Sequence, residues 1–458
     1  MEKINRITGF FRKTVTGLIC SVLLQSAFLS DASAASISLI SDEETEQFLA
    51  RQLRPVFKAA DIPFNRNNIY IVNDDSLNAF VGDGNNMFVH TGTLMKANDE
   101  NEIAGVLAHE TGHIMGGHIL RQKIKLQNMQ QISLASMLAA GAAAAATGRA
   151  DAAIAIMMGT QSSMLNAMLA YQVEEERSAD ESAVKLLQKT EQSPAGMRNF
   201  MKKIDRQNRL NGIAENPYFR THPVTAERIS FLNNAARQSP FPAPTHPSNE
   251  FLRIKAKLSA FMEEPRKVLQ KYPPSDKSTP ARYAQAIVFF RMLKLNQSLK
   301  ILNELIAEEP ENPYFHELKG QIFMETGKIK PARTEYQKAL SLLPNSALFQ
   351  INLAQAVLED NPNRNELEHT AEILNKSLLQ RPDTYGWLLL SRAYGGLNDA
   401  ANSNYAAAEY SLRIGAAETA RRQANTALTA NPSPQLRLKI DDLLNRIGEE
   451  DKLSLIHI

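Results

Sequence analysis

The 458-residue sequence predicts a mainly α-helical protein in two parts. A globular domain comes first, in which a small β-sheet precedes a metal-site helix; an α-solenoid of repeats follows. Three observations lead there. Ala108-His109-Glu110-Thr111-Gly112-His113 spells H-E-x-x-H inside an apolar helical pattern. Short runs rich in β-branched and aromatic residues, parted by Gly- and Asn-rich turns, stand just before it. Past residue 279 the chain reads as helical throughout, and Pro310 and Pro344 lie 34 residues apart, the period of the tetratricopeptide repeat.

Residues 1–34 read as a secretory signal peptide. Lys3, Arg6, Arg12 and Lys13 form a basic start, an apolar core runs from Val15 to Leu29, and Ala32-Ser33-Ala34 fits the small-x-small rule for cleavage after Ala34. The competing reading is an uncleaved anchor. The single cysteine, Cys20, lies in this apolar core behind Leu18 and Ile19, which do not suit lipidation. The exported remainder has no thiol, which points to a bacterial envelope rather than to a disulfide-stapled secreted protein. Four basic and two acidic residues fall in 1–34, so what remains of the 51 basic and 49 acidic residues balances to zero net charge. Nothing in that balance suggests nucleic acid as a partner.

Residues 41–60 are expected to be a helix with Leu49, Leu53, Val56 and Phe57 on one side. Ile69–Val72, Asn78–Val81 and Met87–His90 read as strands, the last two joined by the turn-rich Gly82-Asp83-Gly84-Asn85-Asn86. An edge strand can hold a substrate backbone by strand addition, and Met87, Phe88 and Val89 are the expected candidates; simple packing is the rival reading. His90 reads as a packing histidine before a ligand. The helix of residues 98–120 opens on Asp99-x-x-Glu102, a possible capping box, and buries Ile103, Val106, Leu107 and Ile114. On such a helix His109 and His113 share one face, so both can reach one metal ion, and Glu110 stands beside them as a general base for a water molecule. This is the arrangement of a zincin-like metalloprotease domain with one Zn²⁺ per chain.

A catalytic zinc takes three protein ligands and keeps one position open. The extended form H-E-x-x-H-x-x-G-x-x-H is excluded, because Ile119 fills its last position and His118, one residue early, is expected to point elsewhere. The third ligand must then come from a second helix. Glu174-Glu175-Glu176-Arg177-Ser178-Ala179-Asp180 supplies Glu176 and Asp180 on one face, one to bind and the other to orient a ligand histidine; which does which stays open. Ala179 and Ala183 there suggest close packing against another helix. Between the two helices, residues 134–170 are rich in Ala, Met and Gly and split at Arg149 and Asp151. Each half is short for a membrane span, so a helical hairpin is expected, serving as core, as a lid, or as a peripheral membrane contact. His222, in Thr221-His222-Pro223, has no ligand signature from spacing alone.

The Pro-rich stretch from Ser239 to Pro247 reads as a linker, and 239–278 as linker and connecting helices. The domain is therefore expected over 35–238 and the repeats over 279–448. The unit 313–346 fits best, with Gly320, Phe323, Gly327, Ala332, Tyr336, Ala339 and Pro344; 279–312 is a poorer copy. Later proline spacings imply an inserted turn and an extra helix, with Trp387, Leu390 and Tyr394 in a first-helix pattern and Ala420 and Ala427 in a second. Such repeats present a concave face to peptides or proteins. Residues 449–458 fit no repeat and read as a tail that need not be native.

Taken together, an export signal, H-E-x-x-H, a following Glu-x-x-Ala-Asp and C-terminal repeats resemble the M48 peptidases. The resemblance spans nearly all of the exported chain; the paired motifs are specific, the repeat pattern less so. It implies that His109, His113 and Glu176 hold zinc, that Glu110 is the general base, and that Asp180 supports the ligands from behind. It also implies that His222 can occupy the open metal position and keep the enzyme latent. By the same resemblance the chain is a periplasmic endopeptidase of a Gram-negative bacterium. It would degrade misfolded or stalled outer-membrane β-barrel proteins and assist their assembly, with the repeats docking on the barrel assembly machinery. The rival is a chaperone or adaptor scaffold with a latent zinc site.

Overall fold

The computed structural model describes residues 38–147, 150–211 and 222–456. The expected signal peptide, Arg149 and Thr221 lie outside the described residues. Helix α1 (Glu43–Ala59) starts where the Asp42 side chain accepts the Thr45 N–H at 2.9 Å, a standard N-cap. Its inner face carries Phe48, Leu49, Leu53, Val56 and Phe57, all buried.

One strand before this helix, β1 (Leu39–Ile40), and three after it, β2 (Ile69–Val72), β3 (Ala79–Gly82) and β4 (Asn86–His90), form a sheet in the order β1-β2-β4-β3. β2 pairs parallel with β4, Ile69 opposite Met87, and β3 antiparallel, Ala79 opposite Val89. Gly84 and Asn85 take left-handed backbone (φ 74° and 61°), which turns the chain from β3 into β4. Ile69, Ile71, Ala79, Met87 and Val89 face the core shared with α1. On the other face Phe88 stacks between Tyr70 and Phe80, with ring centroids 4.9 and 4.7 Å away.

This pairing corrects the expectation for Met87, Phe88 and Val89. β4 has a hydrogen-bonded neighbour on each side, so it cannot add a substrate strand; its residues pack. Among the described strands that end the sheet, β3 is the one that also packs on the metal-site helix. His90 is buried, with Nδ1 2.9 Å from Ser76 Oγ, and is not among the converging metal-site donors.

After the short α2 (Thr91–Lys96) comes the metal-site helix α3 (Glu100–Gly116). Half of the expected capping box forms: Asp99 accepts the Glu102 N–H at 3.0 Å, while the Glu102 carboxylate accepts the N–H of Asn98 instead. Ile103, Val106 and Leu107 enter the sheet core; Ala104 and Ala108 enter a second core. The helix is thus buried nearly all round, and it ends at Gly117, whose φ of 61° is left-handed. The expected single helix over 98–120 is two helices. A new one, α4 (His118–Thr147), starts there and packs along α5 (Ala150–Lys189) as the expected hairpin. At about 1.5 Å per residue α4 is about 45 Å long, and Leu134 and Leu138 on it are exposed. No helix among the described residues is long and apolar enough to cross a membrane.

Helices α6 (Ala195–Asn211) and α7 (Ala226–Gln238) complete the second core through Met197, Met201, Leu232 and Ala235. Helix α8 (Asn249–Met262), capped by Ser248, belongs to two cores at once. Phe251, Ile254 and Leu258 pack on the sheet side, whereas Ala256 and Ala260 pack with Tyr283 and Ile287 of the repeats. The short α9 (Pro265–Lys271) leads to α10 (Thr279–Arg291) and α11 (Leu295–Glu308), then to α12 (Pro313–Glu325) and α13 (Ile329–Leu342). Gly320 lets the Tyr336 ring sit where a Cβ would come within 2.7 Å. Next come α14 (Ala347–Glu359) and α15 (Arg364–Gln380), the latter at 17 residues a turn longer than its counterparts. Helices α16 (Thr384–Gly396), α17 (Ala400–Arg413), α18 (Ala417–Thr429) and α19 (Pro434–Ile456) close the array. A second-repeat-helix pattern on α18, three helices after Pro382, accounts for the long proline spacing.

Candidate metal centre

The site is built where α3 and α5 touch. Gly112 faces Ala179 so closely that a Cβ would stand 2.6 Å from the Ala179 carbonyl oxygen, and Ala179 and Ala183 are fully buried. The small residues let the two backbones approach, which brings Glu176 and Asp180 of α5 under the two histidines of α3. The third segment is the chain entering α7. Thr225 caps that helix, Val224 packs into both cores, and His222 is thereby aimed at α3.

His109, His113, Glu176 and His222 each offer a donor atom, and the four atoms lie within 4.8 Å of one another, all buried. His109 Nε2 is 3.1 Å from His113 Nε2 and 3.4 Å from His222 Nδ1. Glu176 Oε1 is 3.2 Å from His113 Nε2 and 2.9 Å from His222 Nδ1, and Glu176 Oε2 is 3.3 Å from His109 Nε2. Three imidazoles and a carboxylate crowded this closely away from water can share their lone pairs with a cation. Nitrogen and carboxylate oxygen are donors that suit Zn²⁺. A metal fits here.

Glu110 is buried beside the cluster, with Oε1 3.7 Å from His222 Nε2. Burial pushes its carboxyl above the usual range, although His222 and His109 pull the other way. Asp180 Oδ1 stands 2.9 Å from His109 Nδ1. Burial opposes charge on His109, but Asp180 and Glu176 outweigh it and lift the imidazole to about 10. His113, pressed by burial and by the neighbouring His109, falls to about 3 and is neutral.

Two residues of the site were given no role in it from the sequence. Arg228 on α7 is buried; its Nε and Nη2 donate to Asp180 at 2.6 and 2.9 Å, its Nη1 lies 2.9 Å from Glu176 Oε2 and donates to Pro223 O at 2.7 Å. It ties both carboxylates to the segment that carries His222. His118 is the second. It does not point away: the turn at Gly117 returns it to α3, where its Nδ1 is 2.8 Å from His113 Nδ1. Burial, with Arg121 nearby, holds it neutral at about 4. The adjacent Gly116-Gly117 was a visible sign that the helical pattern stops there; nothing in the sequence marks Arg228.

Residues 43–236 match the family model described as peptidase family M48. The chain is 27% identical to a β-barrel assembly-enhancing protease of Yersinia pestis, over 80% of this chain and 76% of that one. It is 26% identical to the protein of that description from Escherichia coli K12, over 88% and 82%. A tetratricopeptide repeat protein from Parabacteroides merdae superposes with a TM-score of only 0.27, at 12% identity, over 62% of this chain and 98% of that one. The repeat assignment rests on the helix pairs of this chain and not on that superposition.

Proposed function

We propose, from the match of residues 43–236 to peptidase family M48 and from the metalloprotease relatives, that the chain is a latched periplasmic zinc endopeptidase acting on outer-membrane β-barrel proteins. The observation that carries the reading is the convergence of four buried donor atoms from three segments on one point, with Glu110 beside it. The names of the relatives support the substrate class, and the sequence of residues 1–34 supports export. The repeats would recruit a stalled barrel protein or the machinery that assembles it.

In this reading His109, His113 and Glu176 hold the zinc. When bound, zinc supplies a Lewis acid that acidifies a water molecule and polarises the scissile carbonyl. Glu110 takes the proton from that water as its oxygen bonds to the carbonyl carbon, and returns it to the amine nitrogen as the C–N bond breaks. Burial raises its carboxyl above the usual carboxylate range, which favours a group that takes up a proton and gives it back. Asp180 holds the Nδ1 proton of His109, leaving Nε2 to face the site, and Arg228 holds Asp180 and Glu176 in place. His222 takes the position a substrate needs, so the resting enzyme is slow until His222 moves away. β3, the strand at the end of the sheet beside α3, is the better-placed strand for the substrate backbone.

Zinc content and casein cleavage, measured together for the wild type, Glu110→Gln and His222→Ala, test this. The expected result is about one zinc per chain in all three, weak wild-type cleavage, faster cleavage by His222→Ala, and a loss of at least about 100-fold in Glu110→Gln. Cleavage retained by Glu110→Gln would sink the mechanism. Zinc bound with no cleavage by any variant would transfer the function to the repeats as a chaperone scaffold.

A further inference from the structure

The two helix-borne histidines are supported differently. His109 Nδ1 faces a carboxylate, Asp180. His113 Nδ1 faces another imidazole, that of His118, at 2.8 Å. His113 Nε2 is turned toward Glu176 and His109, 3.2 and 3.1 Å away. An imidazole that gives its Nε2 lone pair to a metal must carry its proton on Nδ1, and that proton needs an acceptor. We propose that His118 is a positioning residue for the metal centre: its Nδ1 accepts the His113 Nδ1–H and so fixes both the ring and the tautomer that can bind zinc. This rests on the zinc reading above.

The local chain is shaped for that contact. Gly117 at φ 61° ends α3 and breaks the helical path, so that the side chain of His118, the first residue of α4, reaches back to His113. Gly116 leaves the space: a Cβ there would stand 2.2 Å from His118 Nε2. The His118 ring meets His113 edge-on, 79° between planes and 4.8 Å between centroids, which aligns the two Nδ1 atoms. If His118 accepts at Nδ1 it carries its own proton on Nε2, a buried atom with no hydrogen-bond partner among the described residues. A buried N–H left unpaired is unfavourable. Removing the ring should therefore not unfold the metal-free chain; what it removes is the support for His113.

Zinc affinity of the full exported chain, by competition with a chelator, separates this role from simple packing. His118→Leu fills the space without an acceptor, and His118→Asn returns an amide oxygen near the Nδ1 position. Gly116→Ala keeps the histidine but displaces its ring. His118→Leu and Gly116→Ala are expected to weaken zinc by about 10- to 100-fold, with His118→Asn recovering most of the loss. Cobalt-loaded protein should show an altered visible band in the Leu variant and a near-native one in the Asn variant, while all metal-free forms unfold at similar urea concentrations. Equal zinc losses in the Leu and Asn variants, or a Leu variant that holds zinc as the wild type does, would overturn the inference and leave the zinc site standing. A wild type that binds no zinc would overturn both. Should the Leu variant fail to fold, Gly116→Ala against His118→Asn carries the same comparison.

Discussion

At Gly112 a single methyl group would collide with the carbonyl oxygen of Ala179 at 2.6 Å. Backbone cannot yield as a flexible side chain does, so Gly112→Ala must push α3 and α5 apart. The expected loss is about 1–3 kcal/mol in urea unfolding, together with weaker zinc binding, because Glu176 recedes from the histidines. Asp180 answers a different question. Asp180→Asn keeps the size of the side chain but leaves Arg228 facing a neutral amide in a buried position. Zinc affinity is expected to fall by about 10- to 100-fold, with a stability loss of about 1–3 kcal/mol, because the guanidinium keeps Glu176 and the Pro223 carbonyl as partners. Unchanged zinc affinity in that variant would remove Asp180 from the support of His109. At this scale His109, Glu110 and His113 were legible in the sequence because one helix turn places them. Glu176 and Asp180 were legible as a pair, but their separate roles came from resemblance. His118 and Arg228 were not, since each acts through a fold-back or a distant helix that no spacing encodes.

Among the elements, α5 departs most from the sequence reading. The hairpin arm and the acidic second helix are one continuous helix, Ala150–Lys189, so the residues facing the histidines belong to the same rod as the hairpin arm. Periodicity could not show this, because the Ala- and Met-rich run has no polar face to end. The repeat helices were the easier case: Gly320, Tyr336 and Ala339 carry small-and-large packing on sequence positions alone. Between α12 and α13 lies a buried charge contact, Glu335 Oε2 to His316 Nδ1 at 2.6 Å and Oε1 to Lys319 Nζ at 2.9 Å. Burial pushes the Glu335 carboxyl up, but His316 and Lys319 together bring it from the ordinary 4.5 down to about 2. The folded value lies below the unfolded one. The stabilisation is therefore full above about pH 4.5 and fades as pH falls toward about 2. Urea unfolding of metal-free Glu335→Gln should show a smaller drop in midpoint than the wild type between about pH 5 and about pH 3; identical drops would show that the contact does not contribute.

Across the whole molecule, the described residues from Ile40 onward pack as one unit. Helix α8 is one reason, since it serves both cores. Charge at the junction is another. Glu44, fully buried on α1, meets Arg253 Nε at 2.5 Å, and Lys257 pairs with Asp42. From the far side Arg381, just past α15, pairs with Glu46 and donates to Ser41 Oγ at 2.9 Å. The sequence showed a Pro-rich linker and could not show that the repeats return to α1, because ion pairs between residues 335 apart leave no local pattern. Arg381→Met leaves Glu46 with Arg66 and the Asp42 N–H, and the expected loss is about 1–3 kcal/mol. Urea is the denaturant to use, since guanidinium would screen the contact in both proteins. A Met variant as stable as the wild type would mean that the closure is only a surface pairing.

The fourth donor of the metal cluster has an environmental consequence. If His222 grips the same ion as His109, His113 and Glu176, then a polypeptide that dislodges it also loosens the ion, and by thermodynamic reciprocity a loosely held ion makes His222 easier to dislodge. Scarcity of zinc in the compartment would then act on this protein twice. It would thin the population able to cut, and it would loosen His222 in the molecules without metal. The latch and the catalytic ion would rise and fall together with the zinc supply of the cell.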